Sequence, residues 1–317
     1  MSKIYEALLR AELDRVALQE GRDSKLQQSD SLEGAFHIAG EAKTEITPAP
    51  LAYAEPDQLV SPFDGGTSVF GQIRKSVWTP RMESLPSLMH RGASVEQFRS
   101  LRSHLYELRA AKTLKSVLVS SGLPQEGKSF VAANLALSLA LHKNSKVLLI
   151  DGDMRRPTLH SILGCGLEPG LADYLSGESR LLDVMQQPMV AANSGEKLDQ
   201  RLEALTFMSG GAGADRASDL SSNKRFDELI ATVSPYFDWI IVDSSPINLV
   251  SDAANLGRAC DGVLLVARAA NTQLATAKKA VAEFKAANLL GFVLNAAAAP
   301  PKGNGYYGYY GEDTAKA

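Results

Sequence analysis

The 317-residue sequence is poor in the features on which several kinds of protein chemistry depend. It contains two cysteines, Cys165 and Cys260, with no metal-ligand spacing and no cluster of histidines around them. A disulfide scaffold or a zinc site is therefore not expected, and both thiols read as reduced and mostly buried. The five histidines are scattered, none four residues from another, so they read as ordinary surface or core residues. No stretch approaches the ~18 consecutive apolar residues of a membrane span, and the opening MSKIYEALLRAELDR carries charges where a signal peptide needs its apolar run. The chain is expected to stay in the cytosol. Its net charge of −3, without any long basic run, argues against nucleic acid or an anionic membrane surface as a direct partner.

What is present suits a soluble globular protein: 45% hydrophobic and 22% charged residues are enough for a sizeable core. The core is not spread evenly. Residues 1–20 place Ile4, Leu8, Ala11 and Leu13 at roughly helical spacing, which predicts a short amphipathic helix that packs on its own domain or docks on a partner. From 21 to 92 the periodicity is lost, and six of the fourteen prolines fall there among Ser, Gly, Gln and Asp, the composition of a flexible linker. Short segments around LVSPF and SVW are the only parts of it expected to dock.

Order resumes at about 93. Ser94 is placed to cap a helix, VEQFRSLRSHLYELRA, with Phe98, Leu101, Leu105 and Leu108 on one stripe. Apolar runs then alternate with helical patterns up to about 299. The expected strands are 116–120, 146–151, 205–209, 239–243, 262–267 and 291–296, and the longest helices between them are 130–143 and 272–288. Strands apolar on both faces and separated by helices predict an α/β domain, a parallel sheet with helices on both faces. Residues 300–317 form a tail with the low-complexity stretch GNGYYGYYG.

The chemistry sits in SSGLPQEGKSF, residues 120–130, where Gly122 is followed after four residues by Gly127, Lys128 and Ser129. The stretch follows a predicted strand and opens a predicted helix, the context of a phosphate-binding loop. There the backbone N–H groups and the helix N-terminus face a polyphosphate, Lys128 reaches its terminal phosphates, and Ser129 offers a hydroxyl to Mg²⁺. Two other strands end in acids: VLLIDGDMRRP in Asp151 and Asp153, and WIIVDSSPI in Asp243. Ligands of open parallel sheets collect at the carboxyl ends of the strands, so these carboxylates should converge on the loop. Arg155 and Arg156 are expected to add positive charge near the phosphates. The set points to nucleoside triphosphate hydrolysis or phosphoryl transfer, driven by positioning and electrostatics.

From about Ser94 onward the sequence resembles the bacterial tyrosine kinases, whose kinase domain is built on a phosphate-loop ATPase fold. The resemblance rests on SSGLPQEGKS, LLIDGDMRRP, IIVDSSP, EQFRSLR and the terminal tyrosine cluster. It implies that Gly122, Pro124, Gln125, Glu126, Gly127, Lys128, Ser129 and Phe130 bind ATP, with Lys128 on the β- and γ-phosphates. It implies that Ser129 and Asp153 organise Mg²⁺, that Asp151 orients or deprotonates the tyrosine hydroxyl, and that Asp243 supports the metal and its water. Three departures stand out. Gln125 replaces the family's usual Gly, the third motif ends Ser-Ser-Pro-Ile, and GAGADRASDL lacks the usual prolines, yet every ionic group is in place.

Glu96, Arg99 and Arg102 recur at spacings of three, which by itself describes a solvated helix face. The resemblance implies instead that they contact neighbouring subunits in a ring-shaped homo-oligomer. It further implies that the acceptors are Tyr306, Tyr307, Tyr309 and Tyr310. Other implied partners are a membrane polysaccharide co-polymerase or chain-length protein, which would recruit the chain to the inner face of the plasma membrane, and a protein-tyrosine phosphatase. The expected function is an ATP-dependent tyrosine autokinase governing exopolysaccharide or capsule chain length or export. The alternative is a partition- or septum-type regulatory ATPase without kinase activity. Such ATPases carry an early loop lysine, where this chain has Leu123.

Overall fold

The computed structural model describes residues 72–142, 145–190 and 198–297. The helix expected at 1–20, most of the linker expected at 21–92, and the tail with Tyr306, Tyr307, Tyr309 and Tyr310 lie outside the described residues. Among the described residues, no helix is long and apolar enough to cross a membrane.

The described chain forms one eight-stranded sheet: β1 (Arg74–Val77), β2 (Ser116–Ser121), β3 (Val147–Asp151), β4 (Met185–Met189), β5 (Leu205–Met208), β6 (Trp239–Asp243), β7 (Gly262–Arg268) and β8 (Leu289–Asn295). Their order across the sheet is β1-β4-β5-β3-β6-β2-β7-β8. The run β5 to β8 is parallel throughout, as the alternation of apolar runs and helices predicts. At the other edge β4 pairs antiparallel with β5, and β1 pairs parallel with β4, so the sheet is mixed. Among the described residues, the helices of eight residues or more are α1 (Ala93–Ala111), α2 (Lys128–Ala140), α3 (Arg225–Val233), α4 (Asp252–Ala259) and α5 (Leu274–Glu283).

The central strands are buried on both faces, and their alternation sorts the core into two layers. Val117, Val119, Val147, Leu149, Trp239 and Ile241 face the layer of α1 and α2, while Leu118, Leu148, Ile150, Ile240 and Val242 face the layer of α3, α4 and Phe284. Two-sided burial is the reason these strands read as continuous Val/Leu/Ile runs. Both free cysteines fit this picture: Cys260 is buried, Cys165 is half-buried, and burial pushes both thiols above their ordinary range.

Three local expectations change. Residues 74–77 and 82–88, within the expected linker, form β1 and two 3-10 turns packed on the domain. The buried Arg201 holds them by donating to the carbonyls of Ser87, Leu88 and Met89. Asn134 of α2 grips the same segment, donating to the Ser84 carbonyl and accepting from the Ser87 N–H. Ser94 does not cap α1. Gly92 occupies that position at a φ of 141°, a conformation that favours glycine, and Ser94 lies inside the first turn. Finally, α5 is shorter than the apolar pattern suggests, because Thr272 is drawn into the phosphate loop before the helix begins and Phe284 turns into the core at its end.

Candidate active site

The phosphate-loop stretch joins β2 to α2, and Gly127 ends it at a φ of 96°. A Cβ at this position would lie 2.0 Å from Asn295 Nδ2, so only glycine lets the end of β8 approach the loop so closely. Gln125, which replaces the family's usual glycine, also takes a positive φ, 64°. Pro124 and Gln125 stand exposed on the loop. The Glu126 carboxylate is buried and turned inward, where it accepts from the Leu123 N–H at 2.8 Å and from the Thr272 hydroxyl. The Phe130 side chain packs against Phe98 of α1, with ring centroids 5.8 Å apart. Glu126 can therefore meet a ligand only through its backbone, while the Phe130 ring is half-buried.

Beyond the loop, β3 and β6 deliver their acids side by side, with Asp151 paired in register with Asp243. Gly152 makes the approach possible. Its N–H donates to the Asp243 carbonyl at 2.9 Å, and a Cβ there would sit 2.6 Å from that same oxygen. Lys128 reaches across from α2 to Asp153 Oδ2 at 2.9 Å and Asp243 Oδ2 at 3.8 Å, with Ser129 Oγ 3.3 Å from its Nζ. Lys128, Ser129, Asp151, Asp153 and Asp243 thus share one site, as the strand-end argument predicts.

The three carboxylates are held differently. Asp151 is fully buried and accepts backbone N–H bonds from Asp153, Thr158 and Leu159. Burial and the neighbouring Asp243 nevertheless push its pKa up to about 8. Asp153 accepts from the Arg156 N–H at 3.2 Å and pairs with Lys128. Asp243 is also fully buried, and burial raises its pKa against the pull of Lys128. The Ser129 hydroxyl faces it without closing a hydrogen bond of normal geometry, so neither carboxylate oxygen has a hydrogen-bond partner, and the Lys128 ammonium at 3.8 Å is its charge neighbour. Buried oxygens left without donors are what a hard cation would satisfy. No group of three His, Cys, Asp or Glu side chains among the described residues could hold a metal by itself. A cation here would need Ser129, a carboxylate, water and the ligand's own phosphate oxygens.

The positive charge expected from Arg155 is committed elsewhere. Its guanidinium pairs with the buried Asp252 at the start of α4, at 2.6 and 3.3 Å, while Arg156 remains exposed. Glu96, Arg99 and Arg102 lie on α1. Glu96 and Arg99 form an exposed ion pair at 2.5 Å, and Arg102 is half-buried, donating to the Ser138 carbonyl of α2 at 2.8 Å. Sequence reading missed Thr158, whose hydroxyl donates to Ser129 Oγ at 3.0 Å, as well as Arg268, Thr272 and Asn295 around the loop. Only the position of Thr158 directly after DGDMRRP could have drawn notice to any of them.

No protein-family model matches the chain. It is 36% identical over 219 residues to the tyrosine-protein kinase YwqD of Bacillus subtilis (strain 168), covering 68% of this chain and 86% of that one. Among solved structures it resembles the chimerical protein CapA2B2, with a TM-score of 0.59 at 28% identity over 70% of this chain and 92% of that one. It also resembles the kinase domain of the Escherichia coli tyrosine kinase ETK, with a TM-score of 0.56 at 29% identity over 67% and 80%.

Proposed function

The chain belongs to the bacterial tyrosine-protein kinases, and from that membership we propose that it is an ATP- and Mg²⁺-dependent autokinase whose acceptors are its own Tyr306, Tyr307, Tyr309 and Tyr310. The observation that carries the reading is the convergence of Lys128, Ser129 and three strand-end carboxylates at one phosphate loop. Phosphoryl transfer needs positioned cations and a base rather than covalent help from the protein, and these side chains supply that set.

In this reading the N–H groups of the loop and of the first turn of α2 hold the nucleotide's phosphates, and Lys128 leaves Asp153 to meet the β- and γ-oxygens. Ser129 and Asp153 would hold Mg²⁺, with Asp243 behind it, and the ion would neutralise phosphate charge that builds up during transfer. Asp151 would orient the tyrosine hydroxyl and accept its proton. A carboxylate raised to about 8 is a better base for a phenol of pKa about 10 than an ordinary one.

Glu96, Arg99 and Arg102 are proposed as subunit contacts of a homo-oligomer, possible only if the exposed Glu96–Arg99 pair opens or is shared with the neighbour. The resemblance also supports a membrane polysaccharide co-polymerase as activating partner, recruitment through it to the inner face of the plasma membrane, a phosphatase that reverses the reaction, and a role in polysaccharide chain length or export. The test is incubation with ATP and Mg²⁺, with and without a cytosolic segment of such a partner, followed by a phosphotyrosine blot. Signal in the wild type, lost when the four tail tyrosines become Phe, is expected. ATP turnover without phosphotyrosine under either condition would favour the partition-type alternative.

A further inference from the structure

The loop's own geometry raises a question that its glycines do not answer: what fixes the direction of its peptide groups when Gln125 sits at positive φ without being glycine? In a trans peptide the carbonyl of one residue and the N–H of the next point opposite ways. To aim the N–H groups of Glu126 and Gly127 at a phosphate, the carbonyls of Gln125 and Glu126 must be held from the other side. Both are. Arg268, the last residue of β7, donates to the Gln125 carbonyl at 3.1 Å, and Asn295, the last residue of β8, donates its Nδ2 to the Glu126 carbonyl at 3.0 Å. The Asn295 Oδ1 accepts from the Ala296 N–H at 2.9 Å, which orients the amide so that its donor faces the loop.

Thr272 supplies a third hold. Its hydroxyl accepts from the Arg268 N–H at 2.8 Å and so turns its own proton to the buried Glu126 carboxylate, whose other oxygen takes the Leu123 N–H. We propose that Arg268, Thr272 and Asn295 form an outer clamp that presets the phosphate loop, acting as positioning residues for the phosphates of the bound nucleotide. The clamp stands behind the loop, touches no phosphate itself, and lets a non-glycine residue occupy position 125. The inference rests on the loop's being a nucleotide site, and it concerns what aims that site rather than what is transferred.

The experiment measures MgADP affinity by calorimetry and the KM and kcat of autophosphorylation for the wild type, Thr272→Val, Thr272→Ser, Asn295→Asp and Lys128→Met. Thr272→Val keeps the shape and loses the hydroxyl's hydrogen bond to the Glu126 carboxylate, and should weaken MgADP about tenfold, the lower end for a hydrogen bond to a charged group. Asn295→Asp turns the donor into an acceptor facing the Glu126 carbonyl and should weaken it about tenfold or more. Thr272→Ser, which restores the hydroxyl, should bind as the wild type does. The loss should appear in KM with kcat nearly unchanged, because the clamp serves ground state and transition state alike. Wild-type affinity in Thr272→Val and Asn295→Asp while Lys128→Met binds poorly would overturn the clamp alone, as would Thr272→Ser binding as weakly as Thr272→Val. If Asn295→Asp does not fold, the Thr272 pair decides. Undiminished binding by Lys128→Met would overturn the nucleotide-site reading and the clamp with it.

Discussion

The two walls of the site follow opposite designs. On the phosphate-loop wall the Gln125 and Glu126 carbonyls, the Glu126 carboxylate and the Leu123 N–H are all engaged. On the acidic wall, Asp151 and Asp243 are fully buried beside one another, their pKa values are raised, and neither oxygen of Asp243 has a hydrogen-bond partner. A wall whose polar groups are satisfied internally holds one shape, whereas a wall left with buried charge it cannot neutralise alone suits the cation of the proposed function. Among the described residues Lys128 is the cation that bridges the two, and in the proposed function the same lysine meets the phosphates. Stability and readiness for chemistry therefore pull against each other at this point.

The largest expected effect that would sharpen this contrast is on activity. Asp151→Asn should cut autophosphorylation at least ~10²-fold, the scale of a general base. Near-wild-type phosphorylation in this variant would remove the base from the account. The pH dependence should run the same way. Activity should climb as pH rises through about 8, where Asp151 ionises. Stability should fall over the window from about 4 to about 8, because the folded state binds the proton that the unfolded chain releases near 4. Urea midpoints measured across that window should slope downward in the wild type and less so in Asp151→Asn.

A smaller effect separates the site from its surroundings. Arg155→Ala leaves the buried Asp252 without its partner and should cost about 1–3 kcal/mol of stability, with MgADP affinity unchanged. A matching loss of affinity would return Arg155 to the phosphates. The smallest change in stability is expected for Arg99→Ala, since the Glu96–Arg99 pair is exposed, whereas adding Arg102→Ala also removes the hydrogen bond to the Ser138 carbonyl. The measure for the double variant is mass by light scattering, which should fall if this helix face joins subunits and stay fixed if the face is merely solvated.

The contrast between the walls also explains what could be read from sequence. The acidic wall and Lys128 were legible because each group ends or begins an element with a strong pattern, and the topology of a parallel sheet brings strand ends together. The outer clamp was not. Thr272 meets Glu126 across 146 residues, and Asn295 meets the same residue across 169, with nothing local to mark either. In the fold, the six strands with continuous apolar runs were legible, but β1 (RKSV) and β4 (MQQPM) were not. They are short and polar, and β4 carries a proline, so their pairing depends on neighbours such as the Gln186 contact to Gly166 rather than on their own pattern.

The opposition of the two walls is tested most directly by comparing the thermal stability of Lys128→Met and Asp243→Asn, without nucleotide, at neutral pH. Removing the lysine strands buried carboxylates and should cost about 3–5 kcal/mol, lowering the melting temperature, whereas removing the Asp243 charge should raise it. Both variants melting below the wild type, or both above it, would contradict the claim that the acidic wall is held in electrostatic debt until a cation arrives.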